Sequence, residues 1–118
     1  MKKYSLFFFF VFSSLFIFAQ QSKIDSLQRL LSNAKEDTNK VLLLIKLADG
    51  VRSNDPDKAL AYANEAKGLS EKNNYKKGIG TAWLNIGAAN HVKGNYDSAI
   101  VCYRKAIGIF KQINYIKN

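Results

Sequence analysis

The strongest constraint on this chain is that it repeats itself at an interval of 40 residues. With residues 57–78 set above residues 97–118, seven of the 22 pairs are identical: Asp57/Asp97, Ala59/Ala99, Ala66/Ala106, Gly68/Gly108, Asn74/Asn114, Tyr75/Tyr115 and Lys77/Lys117. Leu60/Ile100 and Leu69/Ile109 are apolar exchanges in the same register. A fixed period of this size marks a stacked array. Each supersecondary unit leaves an apolar face that only its neighbour buries. Such arrays present surfaces to partners more often than they perform chemistry.

The first 19 residues have a different character. Lys2 and Lys3 form a basic start, residues 6–19 are apolar except for Ser13 and Ser14, and Ala19 places a small residue before Gln20. This pattern predicts an export signal at residues 1–19. A spanning helix needs about 20 apolar residues, so the stretch is short for an anchor. The expected location is periplasmic, secreted or otherwise extracytoplasmic. Removal of the signal takes away Lys2 and Lys3 but none of the nine acidic residues, so the net charge falls from +9 to +7. The basic residues are scattered, which fits solvated helix faces with some bias toward an acidic partner. Cys102 is the sole cysteine, which excludes an intrachain disulfide and suits a small buried apolar position.

After the signal, apolar residues follow helical spacing. Ile24, Leu27, Leu30 and Leu31 give one stripe over residues 22–33. A polar break at 33–39 follows, where Asp37 or Thr38 is placed to cap the next helix. That helix, to about Arg52, carries Val41, Leu42, Leu44, Ile45, Leu47, Ala48 and Val51 on several sides and is expected to be sandwiched. Asp55-Pro56 predicts a cap followed by a first helical position. Ala59, Leu60, Tyr62, Ala63, Ala66 and Leu69 form the packing side of the third helix, which Asn73-Asn74 ends. A fourth helix over 76–92 carries Trp83, Ile86, Ala89 and Val92. Gly94 suits a left-handed stop, and Asn95 is expected to cap a fifth helix reaching about Gln112. No segment alternates with period two, so the expected class is all-α.

The string WLNIGAANHVKGNYDSAIVCYRKAI resembles the tetratricopeptide repeat (TPR) family. Trp83, Ile86 and Gly87 match its first helix, and Tyr96, Ala99, Tyr103 and Ala106 match its second. The resemblance implies antiparallel helix pairs forming a short right-handed α-solenoid, in a long variant of about 40 residues per repeat. The implied divisions are a leading helix at 20–36, a first repeat at 37–75, a second at 76–114 and the start of a third at 115–118. The first copy is the weaker. Leu47-Ala48 matches Ile86-Gly87 at an offset of 39, which is read as one residue inserted in the turn of residues 53–56 relative to the later copy. Asn90 replaces a large aromatic of the family and is expected to leave a hole or a local polar contact. Lys111 replaces a closing proline. Gly68 and Gly108 are expected at close helix crossings. With about three repeats usually needed for stability, the chain reads as cut short, or as covered at its last helix by another molecule.

Catalytic constellations are not evident. His91 is the lone histidine, so His-paired metal sites and most triads are excluded within the chain. Gly78-Ile79-Gly80 is too short for a phosphate loop. Trp83, Tyr96 and Tyr103 have spacings that put them in the helix-packing seam rather than on nucleobases. No enzyme activity, cofactor, metal or nucleic acid is expected. In the family the first helix of each repeat lines a concave groove. Carried over, the groove residues are Lys46, Asp49 and Arg52 in the first repeat and Thr81, Leu84, Asn85, Ala88 and His91 in the second. Asn85 would bind a peptide backbone, and Lys46 and Arg52 an acidic side chain or terminal carboxylate. The function this implies is protein or peptide binding by an exported module. The alternative is the extracytoplasmic sensor segment of a larger signalling protein, a histidine kinase or membrane-bound transcription regulator, whose effector lies beyond Asn118. Membrane contact would come only through an uncleaved signal or a later span, and self-association only through the uncapped last helix.

Overall fold

Residues 1–49 contain neither glycine nor proline, so nothing in the sequence interrupts the first helix from within. In the computed structural model, which describes residues 2–113, α1 accordingly runs unbroken over Lys2–Ser32. It is longer than the stripe at residues 22–33 predicted, because the apolar N-terminal stretch continues it upstream. Leu15, Phe16, Ile17 and Phe18 stand exposed, and packing on the rest of the molecule begins near Ile24. Among the described residues no helix is long and apolar enough to cross a membrane. The expected third-repeat start at 115–118 lies outside the described residues.

Four further helices follow: α2 (Thr38–Val51), α3 (Pro56–Lys72), α4 (Lys76–Val92) and α5 (Tyr96–Gln112). Each packs on the next in sequence, and α2 also touches α4. With no strand among the described residues, the fold is an all-α repeat solenoid.

The helix ends are written locally. Asp37 Oδ1 accepts from the Asn39 and Lys40 amides, and Asp55 Oδ1 from the Lys58 amide, with Pro56 in the first turn. The α3–α4 and α4–α5 turns are built alike. The Tyr75 amide donates to Ser70 O and the Asn95 amide to Asn90 O, both at 2.8 Å, around the left-handed residues Asn74 (φ 52°) and Gly94 (φ 83°). The α2–α3 turn has no left-handed residue; Asn54 and Asp55 both donate to Val51 O. The additional residue therefore sits in the Gly94 turn of the second copy and not in the turn of residues 53–56, where the sequence placed it. Asn95 stands at the α5 N-cap as expected, but its side chain caps nothing and reaches back to Asn90 Oδ1. Asn90 makes the local polar contact, donating to Ile86 O at 3.0 Å.

The core is two clusters of mostly small residues. Ala48, Val51, Ala59, Ala63, Ile86, Ala89 and Cys102 form one; Val41, Leu44, Ile45, Ala66, Leu69 and Ala82 form the other. α2 is sandwiched as its pattern predicted. On it lie Ile24 and Leu31 of α1, so the leading helix covers α2 as α3 covers α4. Gln28 Nε2 also donates to the Tyr62 hydroxyl at 3.0 Å.

Between α4 and α5 two rings fill two glycines. A Cβ at Gly87 would lie 2.8 Å from the Tyr103 ring, and one at Gly80 would lie 3.0 Å from Phe110. Both pairs are spaced seven residues apart, so they stack along one seam of the antiparallel pair. Gly68 and Gly108 behave differently. A Cβ there meets nothing within 4 Å, so the close crossings expected from sequence are absent. Tyr96 also leaves the seam, at 61 % exposure.

Exposed ion pairs tie the turns together: Lys72 with Glu36 at 3.1 Å, Lys40 with Glu65 at 3.7 Å, and Lys93 with Asp57. The Lys72 ammonium, through its hydrogen bond and then its charge, with Lys40 adding to it, holds the Glu36 carboxyl below its ordinary 4.5. A depressed carboxylate stabilises the fold above the unfolded value and ceases to as pH falls through the folded one. Lys72→Ala is therefore expected to move the Glu36 titration, followed by carbon-detected NMR, back up toward 4.5. It should also lessen the loss of stability on acidification below that value. An unchanged Glu36 titration would contradict the pairing. The glycines give a second prediction from one chemical change. Gly87→Ala should destabilise by about 1–3 kcal/mol through overpacking against Tyr103. Gly68→Ala and Gly108→Ala should each stabilise by up to about 1 kcal/mol, because helix propensity improves at no steric cost. Urea unfolding of the three variants measures both signs.

Candidate functional site

Residues 81, 84, 88 and 91 share one face of a helix by their spacing, as do 46, 49 and 52. Because α2 touches α4, these two stripes belong to neighbouring helices. On α2, Lys46 and Asp49 are exposed and Arg52 is half-buried. Arg52 Nη1 donates to Asp49 Oδ1 at 2.8 Å, so part of its charge is already engaged within the stripe. An exposed pair of this kind is worth at most about 1 kcal/mol and yields readily to a competing carboxylate.

Lys46, Asp49 and Gly50 also form one wall of a cleft of about 490 Å³ whose other wall is α1, through Gln20, Lys23, Ile24 and Leu27. Sequence reasoning did not place α1 at the site. Its apolar stripe was visible, but a stripe does not reveal which helix it packs on or at what height. Ile24 meets Gly50 in ordinary contact, 3.6 Å from where a Cβ would stand. That contact sets Gln20 and Lys23 beside Lys46. The cleft thus carries Lys23 and Lys46 against the single carboxylate of Asp49.

On α4, Thr81 and Ala88 are half-buried and Leu84 is 38 % exposed. The Thr81 hydroxyl donates to Lys77 O at 2.8 Å and is locally satisfied. His91 is exposed at the helix end, where its imidazole meets the Tyr96 ring edge-on at 5.4 Å. Asn85 departs most from an open groove position. It is only 7 % exposed, its Nδ2 donates to Thr81 O at 3.0 Å, and its buried Oδ1 has no partner. A buried amide oxygen left unpaired costs roughly 1–3 kcal/mol, and the same burial keeps this carbonyl from solvent and from an incoming ligand. Among the described residues no cluster of three or more histidine, cysteine, aspartate or glutamate side chains could hold a metal ion. Cys102 is buried within the core, as its apolar setting in the sequence suggested.

Residues 80–112 match the family described as Tetratricopeptide repeat. The matched segment is α4 from Gly80 onward and all of α5, the antiparallel pair that carries the two ring-filled glycines. No curated protein and no solved structure matches the chain. The helix pair, its glycine–aromatic seam and the family match coincide on the same residues, and α4 with α5 forms a TPR-type repeat.

Proposed function

We propose that the chain is an exported, non-catalytic module that binds a polypeptide across the stripes of α2 and α4. Repeats of this type serve protein–protein interaction. The observation that favours this surface is the cleft between α1 and α2, where Lys23 and Lys46 lie with the single carboxylate of Asp49. Lys23 and Lys46 in the adjoining cleft would draw an acidic side chain or a terminal carboxylate. On α5, the exposed Ile100, Val101 and Ile107 support a further helix packing there, from a later repeat or from a second copy. Export rests on the basic start, the apolar stretch ending at Ala19 and the exposure of Leu15–Phe18, a cluster unsuited to water.

Selection of a displayed peptide library on the full chain should yield ligands enriched in acidic residues, and Lys46→Glu should weaken them about tenfold or more in titration calorimetry. A library that returns no ligand, or ligands indifferent to Lys46, rules the α2–α4 surface out. Asn85→Ala removes an unpaired buried carbonyl along with one hydrogen bond, so the melting temperature should hold within a few degrees or rise. Export has its own test. Residues 1–19 fused to a leaderless reporter should carry it out of the cytoplasm, with the processed chain beginning at Gln20; a reporter retained inside removes the export reading.

A further inference from the structure

Cleavage after Ala19 would make Gln20 the first residue of the exported chain. Residues 13–20 are all exposed, and α1 first packs on the core at Ile24, so the cut falls outside the packed part of the helix. Gln20 itself lines the α1–α2 cleft. Among the described residues its carboxamide has no hydrogen-bond partner, whereas the neighbouring Gln21 carboxamide donates to Asp25 Oδ1 at 3.0 Å. The Gln20 side chain is therefore free to turn back on its own backbone nitrogen.

We infer that Gln20, once it is the N-terminus, is a modification site: its α-amine closes on its own side chain to give pyroglutamate. This rests on the export reading above, because only cleavage creates the amine. The α-nitrogen attacks Cδ, the N–Cδ bond forms and the Cδ–Nε2 bond breaks. Nε2 leaves as ammonia, taking a proton from the amine. Nothing is oxidised or reduced, and no further reactant enters.

The position suits the closed form. The first N–H groups of a helix have no partner within it, so a ring at residue 20 of the shortened α1 breaks no helical hydrogen bond. Proline, whose ring also closes on the backbone nitrogen, is accepted at the first helical position for that reason. A helix N-terminus also carries the positive end of the macrodipole, which disfavours a cation there. The new first turn, Gln20-Gln21-Ser22-Lys23, has no carboxylate to offset this and carries Lys23 besides. Lys46 lines the same cleft, in which Asp49 is the single carboxylate. These charges favour the neutral amine, which is the nucleophile, and the lactam, which bears no charge. The product is a leading helix that starts uncharged. It offers no free amine to an aminopeptidase, one turn before the Ile24 contact that holds α1 on α2.

The full chain, expressed with residues 1–19 and recovered after export, is held at neutral pH for several days. Intact mass spectrometry and N-terminal sequencing follow it. The mass should settle one ammonia below that of a chain starting at a free Gln20. Sequencing should be blocked, and after treatment with pyroglutamyl aminopeptidase it should read from Gln21. Gln20→Asn, whose side chain is one methylene too short for the ring, should keep its full mass and sequence from residue 20 without the enzyme. A chain that starts at Gln20 with a lasting free amine leaves the export reading intact and overturns this one. So does a chain cut at another bond, or an equal loss of ammonia from Gln20→Asn. A chain that keeps residues 1–19 overturns both readings.

Discussion

The fold depends on how closely helix backbones approach, and that is governed by the small residues between them. Ala59, Ala63, Ala66, Ala82, Ala89, Ala99 and Ala106 are almost wholly buried, and large buried side chains are few outside α2. Small side chains bring less apolar area each than leucine would, but they bring two backbones into dispersion contact and leave sockets for rings. The Gly87–Tyr103 and Gly80–Phe110 pairs carry this furthest. Each glycine costs about 1 kcal/mol of helix propensity, offset by an aromatic ring that would otherwise have no room. Gly68 and Gly108 carry the same propensity cost without such a partner, which shows that contact, not residue type, decides what a helical glycine does.

A stack of this kind leaves its end helices half-covered. At the front, α1 lays Ile24, Leu27 and Leu31 against α2 in the manner of the second helix of a preceding unit. At the back, α5 stands in the place that α3 holds one unit earlier, and Ile100, Val101 and Ile107 face solvent where α3 is covered by α4. The cleft at the first end and the exposed apolar face at the second follow from the same geometry. So does the placing of the lone tryptophan. It lies where two successive outer helices converge on α4, and lysines from both reach it.

Much of this was legible in the chain, and for local reasons. Asp37, Asp55-Pro56 and Gly94 act within four residues of themselves, so their roles as caps and stops need no tertiary context. The sandwiching of α2 and the burial of Cys102 followed from apolar periodicity. The misses share a different cause. Gly68 and Gly108 looked like crossings because they repeat at the 40-residue interval, yet a repeated residue can be repeatedly exposed. Asn95 has the composition of a cap, but Asn90 one turn away offered its side chain another partner. Asn85 belongs to an outward stripe by spacing, and only its neighbours bury its carbonyl. The part played by α1 in the cleft was invisible for the same reason: periodicity says that a face is buried, not against what.

By itself the sequence determined α2 to α5, most of their ends, the repeat interval and the pairing of α4 with α5, because each rests on short-range preference or on a pattern repeated in place. Only the tertiary structure decided which glycine receives a ring, which lysines meet an indole rather than a carboxylate, and which asparagine is left with an unpaired oxygen. Those outcomes depend on the height and angle at which one helix meets another. These are set by the summed packing of many small side chains, and no single residue encodes them.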